Sequence, residues 1–368
     1  MAIRRPDPGP SAVSRDFKKV PEGLLTGRRN YWYPILRSQD LGSEAPVGVT
    51  RLGEKLALWR DSNGQVHAFR DRWAHRAAPL SLGRLRGNDL IECRYHGLRY
   101  DGSGQCRLVP TEHEGADGPM AQKLRVPTYP VEEKGSIIWC YIGEPDKVPP
   151  APLEIPPELV DPDYDGFLEM ETWKANWLLV HDNTCDPAHV PFLHAGSPIL
   201  PPEVAVVDEI RAERTQDGVL VTRAGVDDDE RWAGHTFDAV EFVLPCLVRL
   251  FVPIPGGGSP MRVLQYELPI DEGNTLVLAY FGRKVANDDE RQRWRQMYEG
   301  FIWPAVQEVF SQDNEICHAQ GDLLDAINTE HLISSDAGVP MVRKHILQAY
   351  EAQQKAPGGT SRPRRPKR

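Results

Sequence analysis

Apolar and polar residues alternate with a period of two along much of the chain, the pattern of strands with one face turned to a core. Leu56 to Arg60 and Gln65 to Phe69 flank Asp61-Ser62-Asn63-Gly64. This predicts a hairpin, because Asn-Gly tolerates the positive φ of a tight turn. Ile91, Cys93 and Tyr95 alternate on another predicted strand. Val240, Phe242, Leu244, Cys246, Val248, Leu250 and Val252 share one face of a long strand, and further strands are predicted over Arg262 to Pro269 and Thr275 to Phe281. The period lengthens to that of a helix around Ala175 to Thr184 and again from roughly Ala305 to Ile327. In the later helix Val306, Val309, Phe310, Ile316, Cys317, Leu323, Leu324 and Ile327 form an apolar stripe that contains Asp313, while Glu308, Ser311, Gln312 and Glu315 fall on the polar face. A carboxylate inside an apolar stripe is costly unless it is paired or bound to a metal, the other reading being a hydrogen-bonded buried Asp.

A chain of 368 residues is about twice the usual length of one domain. Its composition breaks between Pro145 and Pro162, where seven of eighteen residues are proline and the chain reads as a stiff linker. The expected organisation is a flexible N-terminus over 1–28, a β domain over 29–148, an α+β domain over 149–350 and a basic tail over 351–368. Five of the last seven residues are basic, which reads as a solvated disordered tail or, alternatively, an anionic docking tail. A net charge of −10 excludes a broad nucleic-acid interface, and no apolar run reaches membrane-spanning length. Six scattered cysteines and an N-terminus without an apolar segment lead to an expectation of a reducing, cytoplasmic setting.

Two constellations carry chemistry. In the first, Asp71-Arg72-Trp73-Ala74-His75-Arg76 is followed, after seventeen residues beyond His75, by Cys93-Arg94-Tyr95-His96-Gly97. Two imidazoles and a thiol at this spacing suit a clip for iron or zinc, against a pair of loop histidines with a structural cysteine. The second is KANWLLVHDNTCDPAHVPFLH over 174–194. If Ala175 to His189 is mainly helical, Asp182, Asp186 and His189 share one face. His194 then lies about 140° from His189 on a regular helix. Both reach one ion only if the helix breaks, and Pro187 and Pro191 give reason to expect that.

Both segments resemble the Rieske non-haem iron oxygenases, the aromatic ring-hydroxylating family. The first is similar to the Rieske [2Fe–2S] motif, Cys-x-His followed by Cys-x-x-His, with Trp73 standing where the family has its first cysteine. By that likeness His75, Cys93 and His96 are cluster ligands, and two thiolates and two imidazoles are the family's full set. Indole offers no usable lone pair, so Trp73 is not a fourth ligand. Cys106, the nearest spare thiol, reads as a small buried hydrophobe. The second segment is similar to the family's catalytic iron motif, and Gln312-Asp313-Asn314-Glu315 to its Gln-Asp-x-Glu helix. The resemblance implies Fe(II) on His189, His194 and Asp313, with Asp186 bridging His189 to the cluster histidine His96 of a neighbouring subunit. It also implies an α+β fold, a Rieske-type β domain followed by a catalytic domain whose curved antiparallel sheet is covered by helices, assembled as a homotrimer. The substrates would be O2 and an apolar or aromatic small molecule. Electrons would arrive from NAD(P)H through a separate ferredoxin or flavin reductase, because no Gly-rich dinucleotide fingerprint follows a strand here. Trp73 supports a rival reading, a cluster-deficient subunit in a mixed trimer with an intact homologue. A mononuclear zinc protein on His75, Cys93 and His96 is the third.

Overall fold

The computed structural model describes residues 20–72, 76–87, 89–113, 115–200, 209–223, 239–252 and 259–355. Trp73, His75 and the tail from 356 onward lie outside them. The chain divides into two compact units, one of residues 28–160 and one that joins the segment up to 27 to residues 161 onward.

The 28–160 unit is built of short antiparallel strands: β1 (Tyr31–Arg37), β2 (Val47–Arg51), β3 (Glu54–Arg60), β4 (Val66–Arg70), β5 (Arg84–Arg86), β6 (Leu90–Glu92), β7 (Arg99–Tyr100), β8 (Cys106–Leu108), β9 (Thr128–Tyr129), β10 (Val131–Lys134) and β11 (Ile137–Ile142). They form sheets in the orders β1-β11-β10, β2-β3-β4-β9 and β5-β6-β7-β8, with one short helix, α1 (Pro119–Lys123). The expected β3–β4 hairpin is present, with Arg60 opposite Val66 and Gly64 at φ 83° in the turn. The alternation through Cys93 and Tyr95 does not continue as a strand. β6 stops at Glu92, and Cys93 to Gly97 fold into a turn in which the Gly97 N–H donates to the Cys93 carbonyl at 2.9 Å. Cys93 is buried in a core cluster with Trp59, Phe69 and Tyr100, whereas Tyr95 and His96 are exposed. Cys106 is buried in the same cluster, as expected of a small apolar side chain.

Glu92 fixes the base of that turn. Its buried carboxylate accepts from Arg86 Nε and Nη2 at 3.0 Å each and from Arg99 Nε at 2.8 Å, strand to strand. The Arg86 hydrogen bond, then Arg99, outweigh desolvation and hold the Glu92 carboxyl down at about 2. A depressed folded-state value stabilises the fold above the ordinary glutamate range, and that contribution is lost as pH falls toward about 2. Glu92→Gln is therefore expected to remove part of the acid sensitivity of unfolding between pH ~4.5 and ~2. Acid titrations followed by circular dichroism check this, and identical acid midpoints for the two proteins would count against it.

The second unit is built on one seven-stranded antiparallel sheet. Its strands are β12 (Tyr164–Trp173), β13 (Ile210–Arg214), β14 (Gly218–Arg223), β15 (Ala239–Val243), β16 (Leu247–Val252), β17 (Met261–Pro269) and β18 (Thr275–Lys284), ordered β12-β18-β17-β16-β15-β14-β13. The long strand expected from Val240 to Val252 is instead the β15–β16 pair, with Phe242 opposite Val248 and a turn at Leu244 to Cys246. Pro245 offers no N–H to a ladder, which favours a turn there. Helices α2 (Trp177–Thr184), α3 (Val190–Leu193), α4 (Asp288–Met297), α5 (Trp303–Ala319), α6 (Leu323–Thr329) and α7 (Gly338–Lys355) complete the unit. α4 and α5 bury Trp294, Val306, Phe310 and Cys317 with Val263, Val277 and Phe281 of the sheet, while α6 and α7 bury Leu323, Val342 and Ile346 with Val219, Val240 and Phe242. α2 joins both clusters, Val180 in the first and Trp177 to Leu179 in the second. The apolar face of β15 and β16 is thus consumed by core packing. Among the described residues no helix is long and apolar enough to cross a membrane.

α2 is tied to α7 by charge. The buried Arg343 guanidinium meets Asp182 Oδ2 at 2.6 Å and Glu330 Oε1 at 2.5 Å. Burial lowers the guanidinium's proton affinity, but the two carboxylates more than offset this and hold it above its ordinary range. Removing one partner of such a pair strands a charge, at a cost of about 3–5 kcal/mol. Arg343→Met is expected to lose about that much stability in urea unfolding, and a loss within the ~0.5 kcal/mol usual for surface changes would contradict it.

Candidate metal centre

The helical stretch expected around Ala175 to Thr184 is α2, and it does not run on to His189: a turn separates it from α3, and the turn is what makes the site. Asn176 caps α2, its side-chain oxygen accepting the Leu178 N–H at 3.1 Å while its Nδ2 donates to the Leu25 and Glu272 carbonyls. Trp177 Nε1 donates to the Leu24 carbonyl at 3.0 Å, so the helix start is also anchored to the segment before residue 28. α2 ends at Thr184, and Asp186 turns the chain, its Oδ1 accepting the Ala188 N–H at 2.9 Å. Pro187 has no N–H to continue the ladder. His189 then opens α3 and His194 closes it. The break turns the chain between α2 and α3, so that His189 and His194 stand at the two ends of α3. It also separates Asp182, which pairs with Arg343, from the face that His189 occupies.

α5 brings the third group. It runs from Trp303 to Ala319 and stops before Gly321, which adopts φ 76°, so the single later helix expected from the sequence is divided into α5 and α6. Asp313 is buried on its inner face, and Glu308 and Glu315 are exposed, as the stripe required. His194 Nε2 lies 3.2 Å and His189 Nε2 3.5 Å from Asp313 Oδ1. One ligand atom from each of the three residues falls within 4.8 Å of the others, and the two imidazole planes meet at 77°. Asn183 Nδ2 donates to the same Asp313 oxygen at 2.9 Å.

The outer nitrogens are held as well. His189 Nδ1 meets the main-chain carbonyl of Asp186, not its carboxylate, and His194 Nδ1 meets Gln312 Oε1 at 2.7 Å. An imidazole whose Nδ1 faces an oxygen acceptor presents the Nε2 lone pair to a metal. Burial raises the Asp313 carboxyl, but hydrogen bonds and charge from His189 and His194 outweigh it and hold the group at about 2, ionised as a ligand must be. Asp186 is pushed above the usual carboxylate range, by burial first and by Asp336 and Asp182 beside it, with His189 opposing. Two neutral imidazoles and one carboxylate, with open directions remaining, fit an Fe(II) facial site. Beside His189 an open cavity of about 800 Å³ is lined by Asn183, Asp186 and Arg343 and by the apolar Phe192 and Ile316.

Sequence reasoning placed Gln312 with the polar face and missed its contact to His194; the Gln-Asp adjacency was the signal available. Asn183 lay within the 174–194 segment without a role. His75 lies outside the described residues, and Cys93 and His96 sit on one turn of the other unit. Among the described residues, His189, His194 and Asp313 are the one group of three with metal-ligand spacing.

Comparison with known proteins agrees with this division of the chain. Residues 31–130 match the Rieske [2Fe-2S] domain family and residues 173–352 the vanillate O-demethylase oxygenase C-terminal domain family. The chain is 27% identical to the terminal oxygenase component of carbazole 1,9a-dioxygenase from Metapseudomonas resinovorans, over 78% of this chain and 81% of the relative. It is 29% identical to the iron-sulfur subunit of the toluene-4-sulfonate monooxygenase system of Comamonas testosteroni, over 90% and 99% of the two. Among solved structures, the terminal oxygenase of carbazole 1,9a-dioxygenase from a Novosphingobium species superposes with TM-score 0.75 at 23% identity, covering 95% of this chain and 99% of that one. An oxygenase–ferredoxin complex of carbazole 1,9a-dioxygenase gives TM-score 0.73 at 23% identity, with 95% of each chain covered.

Losing one of three ligands should weaken metal binding by more than the about 10–100-fold typical of a residue behind the ligands. Asp313→Ala is expected to lose bound iron, while Glu308→Ala and Glu315→Ala on the exposed face keep it. Metal analysis of the three purified variants decides the matter. Full iron in Asp313→Ala would remove it from the ligand set.

Proposed function

Since the chain joins a Rieske [2Fe–2S] domain to a vanillate O-demethylase oxygenase C-terminal domain and is homologous to ring-hydroxylating terminal oxygenases, we propose that it is the oxygenase component of a multicomponent system with its catalytic Fe(II) on His189, His194 and Asp313. The observation that carries this is the convergence of two Nε2 atoms and one carboxylate oxygen within 4.8 Å, each imidazole held from behind. Iron bound there supplies the activation of O2 for the hydroxylation, dihydroxylation or dealkylation of a small molecule. Relatives named for carbazole, toluene-4-sulfonate and 5,5'-dehydrodivanillate support an aromatic substrate, and a neighbour solved with ferredoxin supports a ferredoxin as electron donor.

The chain's own residues contribute position and charge. Asp313 brings one negative charge to the metal, and Asn183 takes up a further lone pair of its Oδ1, fixing the carboxylate's orientation. The Asp186 carbonyl fixes His189, while the Asp186 carboxylate lines the neighbouring cavity. We assign that carboxylate to receive the exposed His96 imidazole of a second copy in a homotrimer, which makes Asp186 a coupling residue between subunits.

The cluster site is a different matter. By the family pattern its ligands are His75, Cys93 and His96, with Trp73 in the fourth position, and an indole in place of a thiolate does not fit a four-ligand cluster. Trp73 favours one second reading, in which the chain serves in a mixed trimer and an intact homologue supplies the cluster.

Iron content and low-temperature EPR after dithionite reduction test both points together. The purified protein is expected to hold about one iron per chain, removed by Asp313→Ala, and to show no rhombic Rieske signal. Trp73→Cys is expected to gain that signal and two further irons. A Rieske signal of about one cluster per chain in the parent would refute the assignment of Trp73, and a parent devoid of iron after reconstitution with Fe(II) would refute the oxygenase reading.

A further inference from the structure

We propose that Gln312 is a positioning residue that sets the tautomer and ring orientation of His194, so that α5 supplies both the carboxylate ligand and the support behind one of the imidazoles. The inference rests on the reading of His189, His194 and Asp313 as a metal site.

The His194 side chain is 1% exposed, so bulk water does not reach its ring. Its Nδ1 lies 2.7 Å from Gln312 Oε1, a short contact along which an N–H donates to an amide carbonyl. Its Nε2 lies 3.2 Å from Asp313 Oδ1. Consecutive residues of α5 thus face the two nitrogens of one ring. Successive side chains on a helix diverge by about 100°, and the imidazole occupies the notch between them. A neutral imidazole carries one N–H and one lone pair. With the Gln312 amide oxygen accepting at Nδ1, the lone pair is left at Nε2, on the side of Asp313 and His189.

His189 receives the same service from a main-chain carbonyl, which no substitution of a side chain removes. Gln312 is therefore the place where support of the two imidazoles is open to mutation. The choice of an amide also has chemical content. A neutral carbonyl orients the ring, whereas a carboxylate at the same point also increases the electron density at Nε2 and strengthens it as a donor. Gln312→Glu keeps the acceptor and Gln312→Met keeps the length without it.

The probe is Co(II), titrated into the metal-free full chain and followed by its visible ligand-field absorption. Gln312→Met is expected to raise the Co(II) dissociation constant about 10–100-fold, the usual consequence of losing support behind a ligand, and to shift the absorption bands as the ring turns. Gln312→Glu is expected to restore both the affinity and the bands of the parent, a rescue that a purely space-filling role would not give. Melting of the metal-free variants reports their folding. Should Gln312→Met not fold, the Zn(II)-loaded parent carries the test: a protected His194 Nδ1 proton in 15N NMR is the expected result, and its absence overturns the proposal. Parent-like Co(II) binding in Gln312→Met, with loss of binding in Asp313→Ala, also overturns it while leaving the metal site intact. Parent-like binding in Asp313→Ala overturns the metal-site reading itself.

Discussion

A buried carboxylate in an apolar helix stripe is the constraint on which the second unit depends. Asp313 sits among Val306, Phe310 and Cys317 and is stable there only because other groups converge on it. His189, His194 and Asn183 do so from the opposite segment, 119 or more residues away in sequence. Satisfying that one oxygen obliges α2, α3 and α5 to meet, and their meeting is the site. The chain turns at Asp186-Pro187 and restarts as α3, whose two ends carry the histidines that reach Asp313.

The surroundings make that meeting rigid. Asn176 ties the start of α2 to two separate carbonyls, and Arg343 clamps Asp182 of α2 through a buried ion pair. Asp182 and Asp186, similar in sequence and four residues apart, therefore take different tasks. One neutralises a core arginine, and the other turns the backbone that supports His189. Burial alone does not separate these roles; the identity of the partner does.

The turn that carries Cys93 and His96 follows the same logic on a smaller scale. Glu92 is locked by Arg86 and Arg99, so the strand ends at a fixed point and the following turn presents His96 outward while Cys93 stays buried. Trp73, the residue that departs from the family's ligand pattern, lies outside the described residues.

Much of this was legible in the sequence. The β3–β4 hairpin, the strands through Arg262 and Thr275, the helical stretch ending at Thr184 and the inward phase of Asp313 all follow from local spacing, since strand and helix periods are set by backbone geometry within a few residues. The set His189, His194 and Asp313 came from the family resemblance together with the inward phase of Asp313, since spacing alone grouped His189 with Asp182 and Asp186. Local spacing could not give the partners. The split of the 240–252 run into a hairpin, the Arg343 clamp on Asp182, the carbonyl rather than the carboxylate of Asp186 behind His189, and the Gln312 contact to His194 were decided by packing. Each joins side chains or backbone according to how elements dock, and docking depends on burying apolar faces from distant parts of the chain. The sequence by itself determined which residues are able to bind a metal; the tertiary structure alone decided which atoms hold them in place.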